Sequence, residues 1–121
     1  MNKRIPKKVQ RWVDSIKLRN PELQTNFYSK KCVLLATFET MLIGKEQILG
    51  YMKTFLNKQD LKCRILENFT KIDEDRDTKI ANGLYEFVYM ENGEVQKVVA
   101  RYTFVINKGK IITHHSSVNP E

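Results

Sequence analysis

The amino-acid sequence predicts one α+β domain, in which N-terminal helices pack on one face of a strongly bent antiparallel sheet. Three observations indicate this fold class. The chain has 121 residues, the length of a single domain. Apolar residues recur at helical spacing in its first half, whereas its second half consists of long strand-like segments separated by turn signals. Helices followed by a run of strands favour a helical layer on an antiparallel sheet, and we treat residues 1–121 as one domain.

The first helical signal is a stripe of apolar residues at i, i+3, i+4 and i+7, formed by Val9, Trp12, Val13 and Ile16. Asn20 and Pro21 then predict that the helix stops and a second one starts, because Asn caps a helix and Pro suits its first position. Helices are therefore expected over roughly residues 6–28.

A buried strand is predicted over residues 32–38, because this segment is almost entirely apolar. A short strand over residues 41–43 follows, and Gly44 ends it. Residues 45–58 then repeat apolar side chains at helical spacing, which predicts a further amphipathic helix.

The second half of the chain predicts an antiparallel meander. Asn92-Gly93 is a strong signal for a tight hairpin, and Asn107-Lys108-Gly109 is a second one. The acidic segment 73–77 predicts an exposed loop. The strand candidates are residues 61–72, 78–90, 95–106 and 110–117.

The net charge of +7 is concentrated at the N-terminus, where residues 1–11 carry five basic groups and no acid. A nucleic-acid surface usually interleaves basic and aromatic residues over a whole face, so this excess predicts a solvated basic helix face. No apolar stretch approaches the roughly 20 residues that span a bilayer, and no secretory signal follows the basic start. The expectation is a cytoplasmic protein without nucleic-acid or membrane partners, in which Cys32 and Cys63 are buried thiols.

The only two histidines are adjacent, in the run His114-His115-Ser116-Ser117 that closes the last predicted strand. Neighbouring strand residues point to opposite faces. One His-x-Ser pair therefore faces the interior and the other faces solvent or a partner subunit, and the pattern does not say which. A zinc site typically uses three or four His, Cys or carboxylate ligands, so the sequence predicts no metal site.

Three further polar residues lie in apolar surroundings: Thr37 at the end of the first strand, Tyr51 on the apolar face of the helix, and Arg101. A buried tyrosine hydroxyl needs a hydrogen-bond partner. A charged Arg in an otherwise apolar strand needs a partner or a wet pocket. Taken singly, Tyr51 is equally consistent with a core tyrosine, and Thr37 is better explained as an ordinary strand residue.

In combination, four segments resemble the iota class of carbonic anhydrases, which belongs to the superfamily of the calcium/calmodulin-dependent kinase II association domain. The two most specific segments are Ala-Arg-Tyr-Thr-Phe-Val over residues 100–105 and His-His-Ser-Ser-Val-Asn-Pro-Glu over 114–121. The other two are Leu-Leu-Ala-Thr-Phe over 34–38 and Gly-Lys-Glu-Gln-Ile-Leu-Gly-Tyr over 44–51. The resemblance runs from about residue 9 to the C-terminus.

This resemblance implies the cone-shaped fold of the nuclear transport factor family and the reversible hydration of carbon dioxide to bicarbonate. It implies catalytic roles for Thr37, Tyr51 and one of the two His-x-Ser pairs, His114 with Ser116 or His115 with Ser117. It implies substrate contacts from Arg101, Tyr102 and Thr103. No cofactor is expected, and manganese or zinc is disfavoured. The inward His is the expected general base.

Two other functions fit the same sequence. The first is a non-catalytic oligomerising module that binds a small carboxylate or other anion through Arg101. The second is an isomerase or dehydratase of the same fold, with Glu39, Glu67 or Glu86 as the acid–base group. A homodimer is expected, with Val99, Tyr102, Phe104 and Ile106 forming an apolar outer sheet face.

Overall fold

The computed structural model describes residues 2–37, 39 and 41–120. Phe38 and Glu121, which belong to the predicted strand and the C-terminal motif, lie outside the described residues. The helices are α1 (Lys7–Ser15), a 3₁₀ turn (Ile16–Leu18), α2 (Pro21–Thr25) and α3 (Lys45–Phe55). The strands are β1 (Tyr28–Leu35), β2 (Met41–Ile43), β3 (Gln59–Asp73), β4 (Thr78–Glu91), β5 (Glu94–Asn107) and β6 (Lys110–Val118).

The strands form one six-stranded sheet in the order β2-β1-β6-β5-β4-β3. The helices pack against one face of it, as predicted, in an α+β arrangement. The sheet is mixed, however, because β1 lies parallel to β6, with Leu34 opposite His114 and Leu35 opposite His115. The meander signals concern only consecutive strands, and this contact joins strands from opposite ends of the chain. The prediction of a wholly antiparallel sheet is therefore wrong for this pair.

Local signals at helix ends and hairpins are confirmed. The Asn20 side chain accepts a hydrogen bond from the backbone N–H of Leu23 at 3.1 Å, and Pro21 is the first residue of α2. Asn92 and Gly93 have φ values of 53° and 77°, the left-handed pair that a tight hairpin turn requires.

One predicted helix boundary that matters for function lies elsewhere in the structure. Tyr28, which falls at the end of the predicted helical segment, is instead the first residue of β1. The helix ends at Thr25 with Asn26 as its C-terminal cap. The chain then turns, so that the backbone N–H of Ile111 on β6 donates to the carbonyl of Phe27. Tyr28 is consequently held inside the sheet.

The sheet has an inner face, packed against the helices, and an outer face on the opposite side. On β5, Ala100, Tyr102, Phe104 and Ile106 are buried on the inner face, whereas Arg101, Thr103 and Val105 alternate onto the outer face. The prediction that Tyr102, Phe104 and Ile106 form the outer face is therefore wrong, because the core packs on that side.

The bend of the sheet follows from irregular pairing. A bulge interrupts β3 between Ile65 and Glu67, and another shifts the β5–β6 register between Val105 and Ile106. Gly83 lies beside the first bulge, where a Cβ atom would come within 2.0 Å of the Glu67 carbonyl oxygen. Only glycine fits this close approach.

Two predictions from the composition concern the cysteines and membrane-spanning segments. Cys32 is buried, Cys63 is half-buried, and both are free thiols. Among the described helices, none has the length and apolar character needed to cross a membrane.

Candidate functional site

A small cavity opens between α3, the end of β1 and the inner face of the sheet. It encloses about 70 Å³. Its polar lining includes Thr37, Tyr51, Tyr85, Tyr89, His114 and Ser116, and Lys58 also lines it. A second surface cleft shares Tyr51, Phe55 and Lys58 with this cavity and adds Glu39, so the mouth of the cavity lies on that side. The apolar lining includes Trp12, Leu34, Ala36, Met52, Phe55, Phe87 and Ala100.

Thr37 and Ser116 form a pair of hydroxyl groups, with Thr37 Oγ1 and Ser116 Oγ 3.1 Å apart. The parallel pairing of β1 and β6 brings these two residues together, although 79 positions separate them in the chain. Ser116 is buried and Thr37 is half-buried. The sequence-predicted association of Thr37 with a His-x-Ser pair thus has a geometric basis.

Tyr51 enters the cavity from α3, with its ring stacked on Phe55 at a centroid distance of 5.5 Å. Its hydroxyl makes no hydrogen bond to another described residue, so it is available to a ligand. Burial, with a smaller contribution from the charge of Glu39, raises the pKa of Tyr51 to about 12. The phenol therefore keeps its proton and can donate a hydrogen bond at neutral pH.

His114 is the inward histidine, and both of its ring nitrogens are engaged. Nδ1 lies 2.8 Å from the Tyr28 hydroxyl and Nε2 lies 3.0 Å from the Tyr85 hydroxyl. The ring stacks on Phe104 at 3.9 Å. Burial, and secondarily the neighbouring His115, lowers the pKa of His114 to about 3. This imidazole is neutral at physiological pH.

The environment of His114 disfavours the predicted role of a general base. A base is most effective when its pKa lies near the working pH and its nitrogen reaches the proton to be removed. Neither condition is met, because the pKa of His114 is far too low and each nitrogen already has a tyrosine partner.

The other members of the predicted site point away from the cavity. His115 is exposed on the outer face, where Ser117 accepts a hydrogen bond from Arg101 Nε at 3.1 Å. Thr103 Oγ1 donates to Asn82 Oδ1 at 3.0 Å. Arg101 satisfies its polar group at the outer surface rather than in an interior pocket, so its predicted contact with a ligand in the cavity is wrong.

Tyr102 lies on the inner face, but its hydroxyl does not line the cavity. It donates to Asn68 Oδ1 at 2.6 Å and approaches the Glu67 carbonyl oxygen at 3.2 Å, near the bulge in β3. Its predicted contact with substrate is replaced by a structural hydrogen bond.

Sequence reasoning missed several residues of this site. The sequence pattern places Tyr28 at the end of a helix, and Tyr85 lies in a strand with no motif around it. The pattern around Trp12 predicts only a residue of the hydrophobic core. Lys58 supplies the cation of the cavity wall, and its Nζ also lies 4.5 Å from the centre of the Tyr89 ring. The alternation of side chains along β4 could have identified Tyr85, because Tyr85 lies on the same face of the strand as Phe87.

The carboxylates considered for acid–base chemistry lie outside the cavity. Glu39 is exposed at the mouth, and Glu67 is exposed on β3. Glu86 alternates with Tyr85 and Phe87, so it faces outward, where it pairs with Arg64 at 3.0 Å. Among the described residues, no three His, Cys, Asp or Glu side chains are grouped to hold a metal ion.

The family model of the calcium/calmodulin-dependent protein kinase II association domain matches residues 2–120. The chain belongs to this family. A Xanthomonas campestris protein whose name assigns it to the same association domain has a solved structure that is 31% identical. It aligns with a TM-score of 0.85 over 100% of this chain and 96% of its own. The superfamily and fold that the sequence resemblance implied are thereby confirmed for this association domain.

More distant structures share the fold of this association domain. A Streptomyces avermitilis protein named as a dehydratase of the NTF2-like family is 11% identical, with a TM-score of 0.82 over 94% of this chain and 93% of its own. A Salmonella enterica protein of the nuclear transport factor 2 superfamily is 18% identical, with a TM-score of 0.79 over 94% and 87%. No curated protein matches the chain.

Proposed function

We propose that the cavity of this association domain hydrates carbon dioxide to bicarbonate. The observation that carries the proposal is the pair of hydroxyls, Thr37 Oγ1 and Ser116 Oγ at 3.1 Å, in a cavity of about 70 Å³ that also receives the Tyr51 side chain. These groups match what the reaction needs, which is a small apolar space with hydrogen-bond donors on one side.

The size of the cavity favours a very small substrate. Pockets for drug-sized ligands typically occupy about 300–1,000 Å³. A cavity of about 70 Å³ accommodates carbon dioxide and a few waters, but not the fused rings or chains of a typical dehydratase or cyclase substrate. A general acid–base carboxylate for such chemistry is also lacking among the described lining residues.

In the proposed reaction, the oxygen of a bound water attacks the carbon of carbon dioxide and forms the new C–O bond. One C=O electron pair moves onto oxygen, and the proton passes from the attacking water to a solvent water at the mouth. The hydroxyls of Tyr51, Thr37 and Ser116 stabilise the oxygen that becomes negative. Removal of one such donor typically costs 10²–10³-fold in rate.

Lys58 takes the role that the sequence gave to Arg101. Its ammonium group stands at the edge of the cavity, where it favours the binding of bicarbonate over neutral molecules. Because it is half-buried rather than enclosed, its contribution is expected to fall as salt concentration rises.

The donor set supports a reaction that does not use a resident metal. Zinc and manganese prefer imidazole, thiolate or carboxylate ligands. The cavity offers hydroxyls and one imidazole whose two nitrogens are both bonded to tyrosines. These residues do not fit a divalent ion, and no step is assigned to one.

The test is stopped-flow measurement of carbon dioxide hydration with a pH indicator, on purified protein with and without chelator. Tyr51→Phe is expected to lower kcat/KM about 10²-fold. Tyr102→Phe, which removes a hydroxyl bonded to Asn68, is the matched control and should keep the wild-type rate. A wild-type protein without hydration activity, or a rate that the chelator abolishes, would contradict the proposal.

A second candidate function is assembly, which the family match favours. We propose that two copies pair through the outer sheet face, where Leu35 is 40% exposed and Val33, Leu84, Val99 and Val105 are half-buried. Sedimentation at several concentrations checks this. A domain that sediments as a dimer and hydrates no carbon dioxide would favour a purely structural role.

A further inference from the structure

A line of buried hydrogen bonds leads from α1 to the cavity. Trp12 Nε1 donates to the Tyr28 hydroxyl at 3.1 Å. The Tyr28 hydroxyl lies 2.8 Å from His114 Nδ1, and His114 Nε2 lies 3.0 Å from the Tyr85 hydroxyl. All four side chains are at least 98% buried. This line of four residues is called the aromatic relay below.

The first member fixes the direction of every bond in the aromatic relay. An indole N–H can only donate, so the Tyr28 oxygen is an acceptor at that contact. The hydrogen of the Tyr28 hydroxyl is then free to donate, and His114 Nδ1 is the acceptor within reach. In a neutral imidazole one nitrogen accepts and the other donates, so Nε2 carries the proton and donates to Tyr85.

The same logic continues to the cavity. The Tyr85 oxygen receives the N–H of His114, so the Tyr85 hydrogen is left for another acceptor, and Tyr85 lines the cavity together with Thr37 and Ser116. Ser116 and Thr37 are themselves hydrogen-bonded. Because Thr37 and Ser116 use one hydroxyl hydrogen for their shared bond, the other hydrogen of that pair and the hydrogen of Tyr85 remain as donors for whatever occupies the cavity.

We infer that Trp12, Tyr28 and Tyr85 are positioning residues that hold His114 in the Nε2-protonated form, and that they make the cavity a donor site for a small oxyanion. The inference deepens the proposed function and rests on it for the identity of the oxyanion, bicarbonate. His114 then acts without any change of charge, because its neutral ring accepts a hydrogen bond on the side of α1 and donates one on the side of the reacting groups.

A purely structural role for these four residues would require no particular tautomer of His114. Two tyrosines, a tryptophan and a histidine could fill this core with their polar atoms satisfied in either direction. Only an oriented line of bonds requires one particular tautomer, and only that arrangement links Tyr28, which does not line the cavity, to ligand binding there.

The first test is ¹⁵N-resolved NMR of the two histidine side chains in the wild-type protein at neutral pH. His115→Gln assigns the signals, because it leaves His114 as the remaining histidine. The expected result is a protonated Nε2 and an unprotonated, hydrogen-bonded Nδ1 for His114. A protonated Nδ1 would overturn the inference, whether or not the protein hydrates carbon dioxide.

The second test links the tautomer to the ligand. Sodium bicarbonate is titrated into wild-type protein and into Tyr28→Phe, with backbone amide signals of residues 36, 37 and 51 as the readout. Tyr28 does not line the cavity, and removal of its hydroxyl lets the His114 tautomer reverse, so bicarbonate affinity should fall roughly tenfold while the fold is kept. Equal affinity in both proteins would overturn the link from Tyr28 to the cavity.

If Tyr28→Phe does not fold, Trp12→Phe serves as the second variant, and the loss of affinity must then accompany a protonated Nδ1 of His114, because Trp12 also lines the cavity. The outcomes also separate the inference from the proposed function. Bicarbonate binding with the expected tautomer but no hydration contradicts the reaction and supports the oxyanion site. Hydration with the opposite tautomer supports the reaction and contradicts the oriented relay.

Discussion

The run His114-His115-Ser116-Ser117 places the same two residue types on the two faces of one strand, and the two halves have opposite environments. His114 and Ser116 are buried beside Thr37 and two tyrosine hydroxyls. His115 is exposed, and Ser117 accepts from Arg101 at the surface. The alternation along β6 puts the two histidines on opposite faces, and the helical layer on one of these faces makes His114 the member of the site.

The comparison shows that the type of a residue alone does not determine its chemical role at this site. A histidine is usually considered a base near neutral pH. In the interior, burial and two tyrosine partners make His114 a neutral hydrogen-bonding group instead. The cation that faces the cavity is Lys58, which lies just before β3 in a turn that no motif marks, rather than the motif residue Arg101.

The largest expected contrast between the two faces is in stability. His114→Ala leaves a cavity in the aromatic core and removes the partners of the Tyr28 and Tyr85 hydroxyls, so it should cost about 3–5 kcal/mol of unfolding free energy. His115→Ala should stay within about 0.5 kcal/mol of wild type. Urea denaturation followed by the fluorescence of the single tryptophan, Trp12, measures both. Similar losses in the two variants would show that the assignment of faces is wrong.

The next contrast is in activity. Ser116→Ala removes one member of the hydroxyl pair and should lower kcat/KM for carbon dioxide hydration about 10²-fold. Ser117→Ala removes an equivalent hydroxyl from the outer face and should leave the rate unchanged. Both rates are measured at saturating buffer, so that proton transfer to the buffer does not limit turnover. An equal loss in both variants would place the chemistry outside the cavity.

Much of the fold was predictable because its signals are local. The apolar stripe of α1, the Asn20-Pro21 start of α2 and the Asn92-Gly93 hairpin each depend on a few neighbouring residues, and each is confirmed. The parallel pairing of β1 with β6 was not predicted, because it joins segments more than 75 residues apart and leaves no local pattern.

The site was predictable in part for the same reason. Alternation showed that one His-x-Ser pair must face inward, but it could not choose the pair. The choice depends on which face of β5 and β6 the helices cover, and the apolar residues Tyr102 and Phe104 were assigned to the wrong side. The partners of His114 were hidden, since Tyr28 and Tyr85 meet it only through tertiary contacts.

The pH dependence of stability offers a third contrast, smaller than the first two. Unfolded His114 is expected to titrate near its reference pKa of about 6.5, and burial lowers the folded pKa to about 3. Between these values the unfolded state binds the additional proton, so stability is full above pH 6.5 and is lost as pH falls towards 3. About 2 kcal/mol should be lost between pH 7 and pH 5.

Urea midpoints at several pH values measure this loss. The titratable groups that contact His114 are Tyr28 and Tyr85, and His115 is its chain neighbour on the opposite face. The two tyrosines do not titrate in this range because burial raises the pKa of each. His115→Gln should keep most of the dependence. A flat profile for the wild-type protein would contradict the buried, neutral state of His114.

The smallest expected effect distinguishes the two candidate anion-binding cations. Lys58→Gln removes the ammonium group at the edge of the cavity and should raise KM for bicarbonate in the dehydration direction about two- to fivefold, the range of a partly exposed charge interaction. The effect should shrink in high salt, because exposed charges are screened. Arg101→Gln should leave KM unchanged at either salt concentration, since the guanidinium binds Ser117 on the outer face. If KM instead rises for Arg101→Gln and not for Lys58→Gln, bicarbonate binds on the outer face, and the two sides of β5 and β6 exchange their proposed roles.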